Sequence, residues 1–190
     1  EMTYQENTTQ MSKTIDMETV VKTKWNLDTS HSAIGFKVKH MMISSVTGHF
    51  EDFNATLTSG SDDIANADFD FVAAVNSINT KNTDRDNHLR SSDFFNAEAY
   101  PEMIFKSTSF NGEKMTGDLT IRNITKSIEL NVDFNGIAVD PYGQTKAGFE
   151  ITGTLNRTDF GLAWSAVTEA GKVVVGEQVK LVVDLQFIRA

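Results

Sequence analysis

Hydrophobic and polar residues alternate along most of the chain after Trp25. A period of two is typical of strands that bury one face, because successive side chains of a strand point to opposite sides. The last such segment is the clearest. Every odd-numbered residue from Val179 to Phe187 is apolar, and Lys180, Asp184 and Gln186 lie between them. The pattern predicts a protein built mainly of half-buried strands.

Turn sequences separate the alternating segments. Asn111-Gly112 is typical of a hairpin turn, and residues 122–126 and 140–143 have the composition of the next two turns. These signals leave eight predicted strands between about Ser32 and Arg189, with mostly antiparallel connections. Eight such strands favour an all-β domain, either a closed barrel or a two-sheet sandwich.

The second predicted strand, around residues 46–57, requires a change of direction. Phe50 and Phe53 are three residues apart, so both can face inward only if an extra residue is inserted between them. The spacing predicts a bulge or a sharp bend, which is what a curling sheet needs.

Three segments lack the strand pattern. Residues 40–44 can form one helical turn, and residues 83–95 predict a short helix with Thr83 or Asp84 as its N-cap. Residues 1–22 are polar and have no sustained period, so we interpret them as a flexible N-terminal arm. Residues 23–190 are then predicted to form one domain.

The composition narrows the possible functions. The 190 residues include 17 Lys and Arg against 26 Asp and Glu, for a net charge of −9, and 39% are hydrophobic. A strongly acidic protein is repelled by nucleic acid, so we expect no nucleic-acid partner. The chain has no Cys and therefore no thiol chemistry. We also predict no transmembrane segment, because no apolar run approaches the roughly 18 residues required.

The histidines and carboxylates do not predict a metal site. His40 and His49 are nine residues apart across a turn, and nothing in that spacing brings them to one ion. Asp84, Asp86 and His88 alternate within the predicted helix, where residues two apart do not face each other. We therefore predict neither a metal ion nor another cofactor.

Catalytic residues are also not evident. No phosphate-binding loop, G-x-S-x-G or H-E-x-x-H motif occurs. His31 and Ser32 follow Asp28, but neighbouring residues of a strand point to opposite faces. We accordingly predict that the protein is not an enzyme.

Phenylalanine dominates the aromatic residues, with 13 Phe against 3 Tyr and 2 Trp. Most of the ring surface therefore has no polar group and must be covered by protein or by an apolar ligand. A barrel of about eight strands can either be filled by its side chains or hold one small ligand. Periodicity leaves both possibilities open.

Several short motifs, taken in order, resemble the YceI family from Trp25 to the end of the chain. They are Trp25-Asn-Leu-Asp-Thr-Ser-His-Ser32, Phe36-Lys-Val-Lys-His40, Val46-Thr-Gly-His-Phe50, Ser77-Ile-Asn-Thr80, Arg85-Asp-Asn-His-Leu89, Asp93-Phe-Phe95, Tyr100-Pro-Glu-Met-Ile-Phe105, Gly117-Asp-Leu-Thr-Ile121 with Thr125-Lys126, and Arg157-Thr-Asp-Phe-Gly161.

The resemblance implies an eight-stranded, lipocalin-like antiparallel barrel, with one or two short helices near its mouth. Its lumen would hold a long isoprenoid lipid, such as a polyprenol, a polyprenyl phosphate or an isoprenoid quinone, for transport or storage. The resemblance also implies a homodimer in the periplasm or cell envelope of a bacterium, or in the cytoplasm if the native chain has no export signal. The expected ligand-binding residues are Phe36, Val38, Phe50, Phe53, Phe69, Phe71, Leu89, Phe94, Phe105, Leu119, Ile121, Leu130, Phe149, Ile151 and Val183.

Arg85, Asp86 and His88 are expected near the mouth, where they contact a polar head group or only attach the helix to the rim. Two other functions remain open at this point. One is an enzyme that acts on an amphipathic small molecule at the mouth through His31, His88 or Asp86. The other is an interaction module with a solid core.

Overall fold

The computed structural model describes residues 22–60, 63–171 and 173–190. Its strands are β1 (Lys22–Leu27), β2 (Ala33–His40), β3 (Ser44–Phe50), β4 (Phe53–Gly60), β5 (Asp63–Ala74), β6 (Ile78–Asn79), β7 (Glu102–Phe110), β8 (Lys114–Ile121), β9 (Ile124–Val139), β10 (Thr145–Asn156) and β11 (Val175–Arg189). The α-helix is α1 (Thr83–Arg90), and 3-10 turns occur at Thr29–His31, Val75–Ser77 and Arg157–Phe160. The interpretation of residues 1–22 as a flexible arm concerns residues outside the described part, except for Lys22.

The strands form a closed antiparallel barrel. Eight of them make a ring in the order β1-β4-β5-β7-β8-β9-β10-β11, and β11 closes it by pairing with β1. The long strand β11 pairs with β1 through its last residues and with β2 through its first half. β2 and β3 therefore extend the wall above β1 and β4, and the prediction of an eight-stranded barrel is confirmed.

The turns explain much of this antiparallel order. Gly112 follows Asn111 in the turn between β7 and β8 with a φ of 96°, a left-handed backbone that glycine adopts without strain. Arg122 and Asn123 form the tight turn between β8 and β9, also with positive φ. The bend after Phe50 is present, but the prediction of one strand over residues 46–57 is wrong, because β3 ends at Phe50 and β4 begins at Phe53 with other partners.

Three details differ from the sequence predictions. The strand β1 was not among the eight predicted strands, because its six residues are too few to display a clear period. The predicted helical turn at residues 40–44 is wrong: Met41 and Met42 have φ of 49° and 59° and lie in a hairpin turn. The helix α1 begins after Asn82, whose side chain accepts a hydrogen bond from Arg85 N at 3.0 Å, so neither Thr83 nor Asp84 is the N-cap. It ends at Arg90 and not at residue 95 as predicted, because residues 91–95 form turns.

The core fills one half of the barrel. Trp25, Phe149 and Phe187 are almost completely buried, and the Phe69 ring lies against Phe149 and Phe187 at centroid distances of 5.3 and 5.9 Å. These edge-to-face contacts are the favoured packing of aromatic rings. The end of the barrel that contains Trp25 is therefore closed by a compact layer of rings, which we call the aromatic floor.

Candidate functional site: an apolar cavity with one mouth

A cavity of about 350 Å³ occupies the other half of the barrel. This volume lies within the range of small-molecule binding sites, roughly 300 to 1,000 Å³. The walls are aliphatic and aromatic side chains of the inward faces of the strands, above the aromatic floor. The possibility of a completely solid core is thus wrong for this half of the barrel and correct for the other.

Most of the expected ligand-binding residues line this cavity. The exceptions are Phe53, which is half-buried and packs against the core at the start of β4, and Phe149, which belongs to the aromatic floor. Both were assigned from strand alternation, which predicts the face of a residue but not its height in the barrel. Whether the other residues bind a ligand stays a prediction.

The cavity also has walls that were not among the expected site residues. Some of these lie on regular strands, such as Met115, Val179, Leu181 and Leu185. They were on predicted inward faces, but alternation did not give their height in the barrel. Leu162, Trp164 and Val174 lie between β10 and β11, in a segment without periodicity. No local signal in the sequence marked that segment as part of the cavity.

The helix α1 is attached to the rim through Thr80. The Asp86 carboxylate is buried and accepts hydrogen bonds from Thr80 N at 2.9 Å and from Thr80 Oγ1 at 2.5 Å. Arg85 donates from Nε to Thr80 Oγ1 at 2.8 Å and from Nη2 to Thr80 O at 2.7 Å. Asp86 does not line the cavity, whereas Arg85 does. The contacts of Asp86 therefore hold the helix in place.

His88 belongs to an aromatic cluster at the mouth. Its ring lies edge-to-face against Phe94 and Trp164, at centroid distances of 5.0 and 4.9 Å. Its Nε2 atom is 2.8 Å from Asp93 Oδ2, a distance typical of a hydrogen bond. The cluster joins α1 to the segment between β10 and β11, so both parts of the mouth share one packed surface.

Arg157 attaches this segment to the barrel from within. Its guanidinium donates from Nε to Gly176 O at 2.8 Å, from Nη1 to the carbonyls of Leu162 and Trp164, and from Nη2 to Val175 O at 3.3 Å. The residue is only 4% exposed. Burial lowers the pKa of Arg157, and the negative charge of Glu177 partly opposes that effect. This residue was not predicted as part of the site.

The three groups considered for an enzyme differ in their relation to the cavity: His88 lines it, whereas His31 and Asp86 do not. Asp28 Oδ2 lies 2.8 Å from His31 Nδ1, and Asp28 Oδ1 accepts hydrogen bonds from Ser30, away from the cavity lining. Within the described ranges, no group of three or more His, Asp or Glu residues is arranged to hold a metal ion. None of the described helices is long and apolar enough to cross a bilayer.

The fold and the cavity define a class of protein: small antiparallel barrels that are closed at one end and hollow at the other. The model of the YceI-like domain matches residues 25–187, so the chain belongs to the YceI family. The UPF0312 protein of Staphylococcus epidermidis is 39% identical over 166 residues, which cover 87% of this chain and 97% of that protein.

Solved structures share the architecture. The YceI protein of Campylobacter jejuni is 33% identical with a TM-score of 0.65, and the alignment covers 86% of this chain and 96% of that one. A polyisoprenoid-binding domain from Saccharophagus degradans is 16% identical with a TM-score of 0.62, covering 87% and 98%. At 16% identity the second likeness is one of fold.

Proposed function

We propose that this protein binds an isoprenoid lipid, inserts the lipid tail into the cavity, and thereby transports or stores it. The observation that carries the proposal is the hollow half of the barrel, with apolar walls, a closed floor and a mouth bordered by polar groups. The polyisoprenoid-binding domain with the same fold supports the choice of ligand class.

The cavity volume limits how much of a tail is enclosed. A methylene group is close to a water molecule in size, about 30 Å³, so 350 Å³ accommodates about twelve carbon atoms. That is roughly two isoprene units. At about 0.8 kcal/mol per buried carbon, they contribute about 8 to 10 kcal/mol before the cost of association is subtracted. Because that cost is at least about 4 kcal/mol, the net affinity permits release, as a carrier requires.

The polar groups at the mouth differ from the walls. Arg85 and His88 border the cavity on α1, and Lys39 and His40 border it on β2. The acidic residue among those that border the cavity is Asp70. We propose that a polar head group lies beside Arg85 and His88, close to the positive charge of the Arg85 guanidinium.

Lipid extraction followed by mass spectrometry tests the proposal. The purified protein is extracted with organic solvent, and a delipidated sample is titrated with a polyprenol and with an isoprenoid quinone. Co-extracted lipid, or saturable binding of either added ligand, is the expected result. A clean extract together with no binding of either ligand would refute the proposal.

Two variants of β11 test the location of the ligand. Leu181 faces the cavity, whereas its neighbour Val182 is partly exposed on the outer surface. Leu181→Asp places a charge in the apolar wall and is expected to abolish uptake, whereas Val182→Asp is the matched control and retains it. Leu181→Trp occupies the cavity with apolar atoms and is expected to abolish uptake while the far-UV circular dichroism stays unchanged. Uptake by both Leu181 variants would exclude this cavity as the site.

The remaining expectations belong to the same proposal. We propose that the protein is a homodimer of the bacterial cell envelope without catalytic activity. Sedimentation velocity tests the dimer, and fractionation of cells that express the native gene tests the location. Turnover of an amphipathic substrate that disappears in His88→Ala would favour the enzyme instead.

A further inference from the structure

Exposed apolar side chains surround one side of the mouth. Met42 and Ile43 are 60% and 68% exposed in the turn between β2 and β3, and Val167 and Val173 are 66% and 37% exposed between β10 and β11. We call these four residues the mouth-tip surface. Large exposed apolar groups that lie together mark contact sites more often than single ones do.

The two parts of the mouth-tip surface are joined. Met41 N donates a hydrogen bond to Val174 O at 2.9 Å, and Val167 pairs with Val173 in an isolated β-bridge. Val174 and His40, the neighbours of these residues in the chain, line the cavity. The mouth-tip surface is therefore continuous with the cavity wall.

The turn that carries Met42 is strained. Met41 and Met42 both have left-handed backbones, and Ile43 N donates to His40 O at 3.2 Å. The loop between β2 and β3 has three residues, and side chains with a Cβ resist the positive φ that Met41 and Met42 adopt. Met42 is mostly exposed, so packing within the protein does not compensate the strain. An exposed methionine at such a position suggests a role in contact with a partner.

Basic residues accompany the apolar ones. Lys37 and Lys39 of β2 and Lys180 of β11 are exposed, and Lys37 lies directly opposite Lys180 in the register. Like charges at directly opposed positions destabilise a sheet. These lysines form no ion pair with another residue of the described part, and Glu177 is the acidic residue nearby on β11. A basic strip in a protein of net charge −9 is complementary to an anionic partner.

We propose that the mouth-tip surface docks on an anionic lipid bilayer. Met42 and Ile43 enter the boundary between head groups and acyl chains, and the three lysines contact the anionic head groups. Docking in this orientation places the mouth of the cavity against the membrane, from which an isoprenoid tail can enter without crossing water. The inference rests on the proposed lipid-binding function, which it extends by specifying where the lipid enters.

Vesicle flotation of the full chain tests the docking. We expect the protein to float with vesicles of phosphatidylcholine and phosphatidylglycerol, to bind vesicles of phosphatidylcholine alone more weakly, and to dissociate at high salt. The double variant Met42→Ser and Ile43→Ser should weaken binding at least about tenfold, because two apolar side chains no longer leave water. Lys37→Gln, at an exposed lysine that does not line the cavity, should weaken it about fivefold.

The opposite end of the barrel offers a matched control. Val139 and Tyr142 are 68% and 90% exposed near the turn between β9 and β10, at the end that contains Trp25. The double variant Val139→Ser and Tyr142→Ser removes a comparable exposed apolar surface and should leave vesicle binding unchanged. Equal losses from both double variants would overturn the proposal, as would a wild-type protein that does not float.

A third variant separates docking from folding. Met41→Asn with Met42→Gly places residues that tolerate positive φ at these two positions, so this variant should fold at least as stably as the wild type and still lose vesicle binding. All these variants should bind a short soluble isoprenoid alcohol normally. If the wild type does not bind this alcohol, the proposed function is refuted. If the mouth-tip variants float with the vesicles as well as the wild type does, the docking is refuted. A lower sedimentation coefficient of the mouth-tip variants than of the wild type, measured without vesicles, would show that a second copy of the chain covers this surface, which also overturns the docking.

Discussion

The buried guanidinium of Arg157 should be the most important polar group for the stability of the mouth. It makes four hydrogen bonds to the main-chain carbonyls of Leu162, Trp164, Val175 and Gly176. In Arg157→Met the side chain keeps much of its apolar volume but has no donor. The four carbonyls then lose this partner in a region where Arg157 itself is almost completely buried.

The size of the effect follows from these four bonds. A buried polar group without a partner costs about 1 to 3 kcal/mol. We use the lower value of about 1 kcal/mol for each carbonyl, because the variant also removes a buried positive charge. Burial of that charge destabilises the folded wild type, as the lowered pKa of Arg157 indicates, so its removal offsets part of the loss. Arg157→Met should therefore lower the free energy of unfolding by about 4 kcal/mol. That is a large part of the stability of a typical domain, about 5 to 15 kcal/mol.

Urea unfolding monitored by far-UV circular dichroism measures this difference, with Arg122→Met as the control. Arg122 donates one hydrogen bond, from Nη1 to Gly161 O at 2.7 Å, to the same segment, so its variant should lose only about 1 kcal/mol. Hydrogen exchange should also show faster opening of residues 161–176 in Arg157→Met alone. A loss below about 1 kcal/mol, or equal losses in the two variants, would refute the role assigned to Arg157.

Two further predictions concern Asp28, outside the cavity, and Gly48, beside the cavity-lining Phe36. The hydroxyl of Ser30, together with His31 and Lys146, lowers the pKa of Asp28 from 3.8 to about 2, so its stabilising effect is complete above about pH 4 and disappears as the pH falls through about 2. Asp28→Asn should therefore cost about 1 kcal/mol at neutral pH, after allowance for solvent screening, and little below about pH 2; a constant difference in urea-unfolding experiments from neutral pH to that point would contradict this. A Cβ at Gly48 would lie 2.3 Å from the Phe36 ring, so Gly48→Ala should displace that ring into the cavity, cost about 1 to 3 kcal/mol and reduce lipid uptake. Unchanged uptake and stability would show that the Phe36 ring does not move into the cavity, and would refute this prediction.

The sequence by itself determined an all-β domain of antiparallel strands and the faces of those strands. Alternation left a barrel or a sandwich open, and the resemblance to the YceI family favoured the barrel. Alternation from Val179 to Phe187 assigned the inward side of β11 correctly, and Asn111-Gly112 identified a hairpin. Both signals are local, because they depend on the two-residue period of a strand or on the backbone of one turn. The short strand β1 did not extend over enough residues to show such a period.

Only the tertiary structure decided where the barrel is hollow. Phe149 and Phe36 have the same alternation, yet Phe149 lies in the aromatic floor and Phe36 lines the cavity, because strand register sets the height of each ring. The contribution of Arg157 likewise required the structure, since its partners Leu162 and Trp164 lie in a segment without a periodic pattern. Height and long-range hydrogen bonding depend on how distant segments pair, and no local window of the chain contains that information.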